Sequence, residues 1–243
     1  MADNRGMTPA RTFSAWLILA MAAPSALQAA PVVEAPPKAV AGASGALDAT
    51  ESTKLALAAY EAGDVEEAER LFLEAAAAGA ALAAYNAAVI RLNEERMTQT
   101  EQGALALLQQ SAGAGFSPAQ HMLATLHDYG RLMPQSHSLA LKWYRLAGEQ
   151  GDAAAQLAVA TQYYLGRGIT CDYQEAARWY DKAAQAGDTA AQYILASMYE
   201  KGVGVKIDLD QALTWYAAAA RQGDVVADLK AREVAELLAQ QRR

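Results

Sequence analysis

The residues best suited to chemistry in this chain are its three histidines, His121, His127 and His137, which lie close together in the sequence. Imidazole is the commonest metal ligand and a frequent general base. His121 and His127 are six residues apart. Six residues of α-helix turn through about 600°, so the two side chains lie on different faces of one helix. This spacing does not favour a shared metal site, and we predict no metal and no cofactor.

Sequence motifs typical of enzymes are absent. The chain has no phosphate-binding GxxxxGK[ST], no GxSxG elbow, no HExxH pair and no CxxC. Cys171 is the only cysteine, so no intramolecular disulfide can form. Ile207 stands 36 positions later, which indicates a small buried or loop hydrophobe at Cys171 rather than a reactive thiol. We therefore predict no catalytic residues and no enzymatic activity.

A pattern that repeats every 36 residues organises the chain. Three dipeptides return at this interval: Ala155-Gln156 as Ala191-Gln192, Trp179-Tyr180 as Trp215-Tyr216, and Gly187-Asp188 as Gly223-Asp224. An earlier copy carries Trp143-Tyr144, and weaker copies precede it. A fixed period of this length predicts a stacked array of repeats. The predicted units are residues 53–80, 81–116, 117–152, 153–188 and 189–224, followed by a capping helix at 225–243.

This pattern resembles the Sel-one-like repeat, a relative of the tetratricopeptide repeat. The residues that carry the resemblance form one series: Ala155, Tyr163, Gly166, Gly168, Asp172, Ala176, Trp179, Tyr180, Ala183, Ala184, Gly187 and Asp188. The resemblance implies an all-α fold, an α/α superhelical solenoid of about five helix pairs over residues 51–243. It also implies that the solenoid is a protein interaction platform.

The earlier units depart from the pattern. In the second unit, Leu107-Leu108 replaces Trp-Tyr, and we expect this unit to be the least well packed. In the third unit, Leu132 stands where the later units have Gly168 and Gly204. A glycine at such a turn usually supplies a positive φ, so we expect the turn at Leu132 to follow a different path.

Other positions predict how the helices begin and pack. Trp143, Trp179 and Trp215 should bury large surfaces between units. Acidic residues followed three positions later by Glu or Gln have the spacing of capping boxes. These pairs are Asp64 and Glu67, Asp172 and Glu175, and Asp208 and Gln211. Residues 225–243 combine an apolar stripe with a charged face, which suits a terminal helix with one neighbour.

The candidate binding site is a surface formed by the first helix of each unit. In tetratricopeptide-type arrays these helices line the concave face, so the resemblance implies a partner-binding groove there. Tyrosine and histidine rings suit a peptide or helix, because they bury area and keep a polar tip. The alternative is that several of these side chains pack within the solenoid. The predicted groove residues are Tyr60, Tyr85, His121, Thr125, Tyr129, Leu157, Thr161, Tyr164, Tyr193 and Ser197.

The first fifty residues differ from the repeats. Arg5 and Arg11 precede an apolar run over residues 15–23, and small residues follow up to Ala29. This order predicts a cleaved secretory signal peptide at residues 1–29. A retained anchor is the alternative, although the run is shorter than the ~20 residues of a membrane span. The composition of residues 30–50, rich in Pro, Ala and Gly, predicts a disordered linker.

The negative net charge of the chain argues against some classes of partner. The formal net charge is −7, and removing residues 1–29 deletes one acidic and two basic residues, which gives −8. An acidic surface repels phosphate backbones. We therefore predict no nucleic-acid partner and no stable membrane insertion after signal removal.

These observations predict a bacterial protein, periplasmic or secreted, that binds a partner polypeptide in its groove. By resemblance it would be a scaffold or adaptor of the cell envelope, with a regulatory role as one option. The resemblance also offers an alternative, a hydrolase such as a β-lactam-binding enzyme on the same fold. This chain lacks the paired cysteines of those relatives.

Overall fold

The structure is a computed structural model that describes residues 49–93 and 100–242. These residues form eleven α-helices and no strand. In chain order the helices are α1 (Ala49–Glu61), α2 (Val65–Ala77), α3 (Ala81–Asn93), α4 (Thr100–Gly113), α5 (Ser117–Tyr129), α6 (His137–Glu149), α7 (Ala153–Leu165), α8 (Tyr173–Gln185), α9 (Thr189–Lys201), α10 (Leu209–Arg221) and α11 (Val225–Gln241). Helices α1 to α10 form five pairs, and α11 follows the last pair.

The helices stack in chain order. Each packs against the helix before it and the helix after it. Their buried side chains form four successive clusters, and neighbouring clusters share a helix or a side chain at the border. A row of small cores along stacked helix pairs is the signature of a solenoid. The predicted all-α solenoid is therefore confirmed.

The described chain begins earlier than the predicted first unit. Helix α1 starts at Ala49, four residues before Thr53. The predicted signal peptide at residues 1–29, and the predicted linker up to residue 48, lie outside the described residues. Within the described ranges, no helix has both the length and the apolar character needed to cross a membrane.

A repeated glutamine links the first helices of the third, fourth and fifth units to the pair before each of them. The side-chain amide of Gln156 donates to Gly148 O at 2.8 Å, and Gln192 donates to Ala184 O at 3.1 Å. Gln120 makes the same bond to the end of α4. Each carbonyl belongs to the last turn of a helix, where intrahelical donors are missing. The carbonyl also accepts from the backbone N–H of the turn glycine three residues later, so the glutamine is a second donor that ties the next helix to this helix end.

The predicted N-caps are confirmed, but the capping boxes are only half formed. The carboxylates of Asp64, Asp172 and Asp208 accept backbone N–H groups of the first turn at 2.9–3.1 Å. The reciprocal bond is not made, since the backbone N–H of Asp172 already donates to Tyr163 O at 3.0 Å. The Glu175 side chain instead accepts from the indole of Trp179.

The tryptophans occupy equivalent positions but differ in burial. Trp179 is 3% exposed, and it packs so closely on the preceding pair that a Cβ at Gly148 would lie 3.2 Å from its ring. Trp143 and Trp215 are only half-buried, each at a border between two clusters. The prediction of a buried core tryptophan is therefore confirmed for Trp179 and overstated for the other two.

We expected the second unit to be the least well packed of the array, yet both of its helices have a buried core. Residues 83–90 of α3 are all buried. Val89 and Leu108 are fully buried where the later units have a hydroxyl residue and a tyrosine. The side chain of Gln110 also donates to Ala76 O of the first unit at 2.8 Å. Apolar replacement at both facing positions preserves the packing.

The turn at Leu132 follows the same path as its counterparts, contrary to expectation. In three turns, a backbone N–H donates to the carbonyl nine residues earlier at 2.8–3.0 Å: Ser136 to His127, Asp172 to Tyr163, and Asp208 to Tyr199. Leu132 has φ 62°, close to the 69° of Gly168. The turn thus imposes a left-handed conformation that costs a non-glycine residue about 1–2 kcal/mol. The side chain has room because it is 37% exposed.

Helix α11 has the features of a cap. In α9, Ala196 and Ser197 are buried against α10, whereas the equivalent residues of α11 are Arg232 and Glu233, both exposed. Val234 and Leu238 face inward and complete the last cluster. One apolar side and one charged side let the array end without an unpaired core.

Candidate functional site

The predicted groove residues fall into two groups in the structure. Tyr129 is 54% exposed, and six others are partly exposed: Tyr60, His121, Thr125, Leu157, Tyr164 and Tyr193. The second group is buried. Tyr85, Thr161 and Ser197 are 2–4% exposed. These three side chains cannot touch a partner on the folded solenoid, so their assignment to the groove is corrected.

A hydrogen bond between paired helices explains the burial of Thr161. Its hydroxyl donates to Leu157 O at 2.8 Å and lies 3.2 Å from the hydroxyl of Tyr180. Because the threonine has one proton, the Tyr180 phenol must be the donor of the second bond. Thr125 and Tyr144 form the same pair 36 residues earlier. The small hydroxyl residue therefore satisfies a buried phenol.

The aromatic side chains of the first helices lie against these buried tyrosines. Ring centroids are 5.6 Å apart for His121 and Tyr144, and 5.3 Å apart for Tyr193 and Tyr216, both edge to face. In the unit between them, Leu157 holds the position of His121 and Tyr193. We call the partly exposed set His121, Tyr129, Leu157, Tyr164 and Tyr193 the A-helix face.

Tyr164 also belongs to the A-helix face, but it stands at a different position of the repeat from His121, Leu157 and Tyr193. It packs edge to face on Tyr173 at 5.1 Å and on Tyr180 at 6.3 Å. Its equivalents 36 residues away are Asp128 and Glu200 rather than Tyr129. The tyrosines of the A-helix face are therefore not in one register, although they belong to first helices.

Burial acts on the pKa of two phenols of this face, those of Tyr164 and Tyr193. It raises the pKa of Tyr164, and the negative charge of Cys171, when ionised, acts in the same direction. Burial also raises the pKa of Tyr193, against the lowering effect of Lys230. Both hydroxyls thus remain protonated at neutral pH and can donate or accept a hydrogen bond.

Two histidines form carboxylate pairs that the sequence did not reveal. His121 Nδ1 lies 2.8 Å from Asp152 Oδ2, and His137 Nδ1 lies 2.7 Å from Asp128 Oδ1. Burial raises the pKa of Asp152, but the bond from His121 and backbone N–H groups outweigh it and lower the pKa overall. Asp152 is the N-cap of α7, the first helix of the fourth unit, so the visible role of the first pair is to link α5 to the start of α7.

The structure offers little for catalysis among the described residues. No group of three His, Cys, Asp or Glu side chains there could hold a metal ion. Cys171 is exposed in a turn, in agreement with the loop position that was one of the two alternatives, and its thiol donates to Tyr164 O at 3.2 Å. Neither His121 nor His137 has a nucleophilic side chain bonded to its second ring nitrogen in this part of the chain.

The cap helix borders the A-helix face with a charged cluster. Tyr216 donates to Glu200 at 2.7 Å, and Lys230 of α11 lies 3.7 Å from the same carboxylate and 2.7 Å from Glu233. Burial lowers the pKa of Lys201 beside them. The cluster fixes α11 next to Tyr193 and makes this end of the face polar.

Comparison with protein families finds the Sel1 repeat in four copies. The matched residues are 54–79, 117–152, 153–188 and 189–224, more than half of the chain. The three later matches coincide with predicted units. The second helix pair, α3 and α4, is not matched, although its two helices pack against each other like those of the other pairs.

Two solved structures share the solenoid. One is a protective antigen present in uropathogenic Escherichia coli strains that displays an SLR fold, with 24% identity, a TM-score of 0.68 and 79% of this chain covered. The chain spans 46% of that antigen. The other is a Sel1 repeat protein from Oxalobacter formigenes, with 23% identity, a TM-score of 0.63, and 80% and 89% of the two chains covered. No curated protein sequence matches.

Proposed function

Because the chain belongs to the Sel1 repeat family, whose repeats generally mediate protein binding, we propose that it is a scaffold that holds a partner polypeptide on its A-helix face. Such proteins are generally not enzymes. The proposal concerns the A-helix face as a whole, from His121 in the third unit to Tyr193 in the fifth.

One observation carries the proposal: rings on successive first helices are packed at one edge and open to solvent at the other. His121 and Tyr193 rest on buried tyrosines, so a partner would meet side chains that are already ordered. Rigid rings lose little entropy on binding and offer both apolar area and a polar tip.

Site-specific crosslinking tests the face. A photo-crosslinking amino acid at Tyr129 or Tyr193 should capture a partner in cells, whereas the same amino acid at Arg178, exposed on the second helix α8, should not. The captured protein is then identified by mass spectrometry and purified. Its affinity should fall at least tenfold for the double variant Tyr129→Ala, Tyr193→Ala.

A matched control comes from the turn of the fifth unit. Ile207 is 67% exposed and lies in a turn rather than on the A-helix face, so Ile207→Ala should leave the affinity unchanged. Equal crosslinking at Tyr193 and Arg178, or equal affinity of all variants at unchanged helicity, would contradict the assignment.

We also propose that the protein is exported and acts in the cell envelope, with a regulatory partner. The support is the basic, apolar and small-residue order of residues 1–29. Intact mass of protein from the periplasmic fraction tests it. Cleavage should leave a chain that starts near Pro31, and a full-length chain in the membrane fraction would overturn the prediction.

A further inference from the structure

The solvent side of α6 differs from the same side of α8. In α8, polar groups cover the tryptophan: Glu175 accepts from the indole N–H of Trp179 at 3.2 Å, and Lys182 Nζ lies 3.9 Å from the ring centroid. The equivalent residues of α6 are Leu139 and Leu146. They are 44% and 37% exposed, so the third unit presents leucines where the fourth presents charges.

Basic side chains lie beside these leucines. Lys142 and Arg145 occupy the same side of α6, and an open cleft of about 420 Å³ runs along it, lined by Ser138, Leu141, Lys142, Arg145, Leu146 and Glu149. Arg145 contacts Glu149 loosely at 3.7 Å. No carboxylate among the described residues lies within 4.0 Å of Lys142. The cleft is therefore lined by two basic side chains and one carboxylate, with Leu139 exposed beside it, on a chain of net charge −7.

We propose that Leu139, Lys142, Arg145 and Leu146, here called the α6 face, form a second docking surface for an acidic amphipathic helix of a partner protein. Helices dock apolar side chains at spacings of three and four residues. Two leucines seven residues apart match two turns of such a helix. Carboxylates flanking the apolar stripe of the partner would meet Lys142 and Arg145, which selects acidic over basic helices.

The surface is independent of the A-helix face. It lies on a second helix, and none of its residues belongs to the predicted groove. One solenoid could thus hold two polypeptides, or two segments of one partner, on opposite helices of the same pair. Failure at either face would leave the other proposal standing.

A pair of designed peptides tests the surface. Each is a helical 18-mer with leucines at i, i+3 and i+7, and it carries either glutamates or lysines beside the leucine stripe. Titration into the full-length mature protein, followed by NMR or calorimetry, should show that the glutamate peptide binds at least tenfold more tightly at low salt. Salt should reduce this preference because the flanking charges are exposed.

The fourth unit supplies variants that preserve folding. Leu139→Glu with Leu146→Lys copies the residues at Glu175 and Lys182, so the double variant should keep its helicity and lose at least tenfold in affinity for the glutamate peptide. Leu229→Lys, on an α11 residue that is 55% exposed, is the control and should bind normally. Equal binding of both peptides, or no loss in the double variant, would overturn the proposal. So would a concentration-dependent dimer broken by the double variant, since a second copy would then be the occupant.

Discussion

Replacing Thr161 of α7 by valine should destabilise the solenoid, because it removes the hydrogen-bond partner of Tyr180 on the paired helix α8. Valine has nearly the same shape as threonine, so the core stays filled. The lost hydroxyl leaves the phenol of Tyr180, which is 0% exposed, without its 3.2 Å partner. An unsatisfied buried donor costs about 1–3 kcal/mol, and we expect a loss of unfolding free energy in that range.

The same substitution should be nearly harmless when the phenol hydroxyl is absent. In a Tyr180→Phe background, Thr161→Val creates an apolar pair like the buried Val89 and Leu108 of the second unit. Contacting residues typically show coupling energies of about 0.5–3 kcal/mol, and we expect about 1–2 kcal/mol here because one hydrogen bond and one desolvated group are involved.

Urea denaturation followed by circular dichroism at 222 nm measures the four free energies of this cycle. Thr214→Val is the control, since Thr214 makes the same backbone bond, 2.8 Å to Asp210 O, on an exposed surface. Its effect should stay within about 0.5 kcal/mol. Equal cost of Thr161→Val in the wild-type and Tyr180→Phe backgrounds would refute the role of the hydroxyl pair.

Three further measurements test the packing. Trp179→Ala should lower the free energy of unfolding by about 3–5 kcal/mol. Trp215→Ala should lower it less, because Trp179 is 3% exposed whereas Trp215 is only half-buried. Equal shifts in the melting temperatures of the two variants would contradict this. Gly204→Ala should lower the melting temperature more than Gly223→Ala: both have positive φ, but only a Cβ at Gly204 would strike the Tyr173 backbone. Burial raises the pKa of Tyr180 above its unfolded value of about 10. The contribution of Tyr180 to the free energy of unfolding is therefore complete below pH 10 and should fall as the pH rises above 10. Urea titrations at several pH values measure this, and the free energy of unfolding should depend less on pH in the Tyr180→Phe variant.

The fold could be predicted because the 36-residue period fixes which residues are equivalent. The fourth and fifth copies each carry an aspartate N-cap and their own turn glycines, so the helix boundaries there follow from local chemistry. The path at Leu132 could not be predicted from residue type. There the hydrogen bonds of the turn outweigh the preference of leucine for negative φ.

The site was less predictable, because helical spacing locates a face only approximately. Thr161 follows Leu157 by one helical turn, and both were expected in the groove, yet Thr161 turns toward α8 to reach Tyr180. A signal was present in the sequence: the hydroxyl residue precedes the tyrosine by 19 residues in both hydrogen-bonded pairs. The pair Val89 and Leu108 keeps that interval while losing both hydroxyls.

Because each helix packs on the next one, the solenoid can bend by small changes at the contacts between successive helices. Its overall curvature is the sum of small rotations of each repeat relative to the one before it. A slight change in one of these rotations therefore displaces the far end of the array by a larger distance. At the contact between the third and fourth units, His121 pairs with Asp152, the N-cap of α7. One repeat later the equivalent residues are Leu157 and Asp188, and a leucine side chain cannot form such a pair. Bending should therefore be unequal along the axis, with the stiffer segment where imidazole and carboxylate meet.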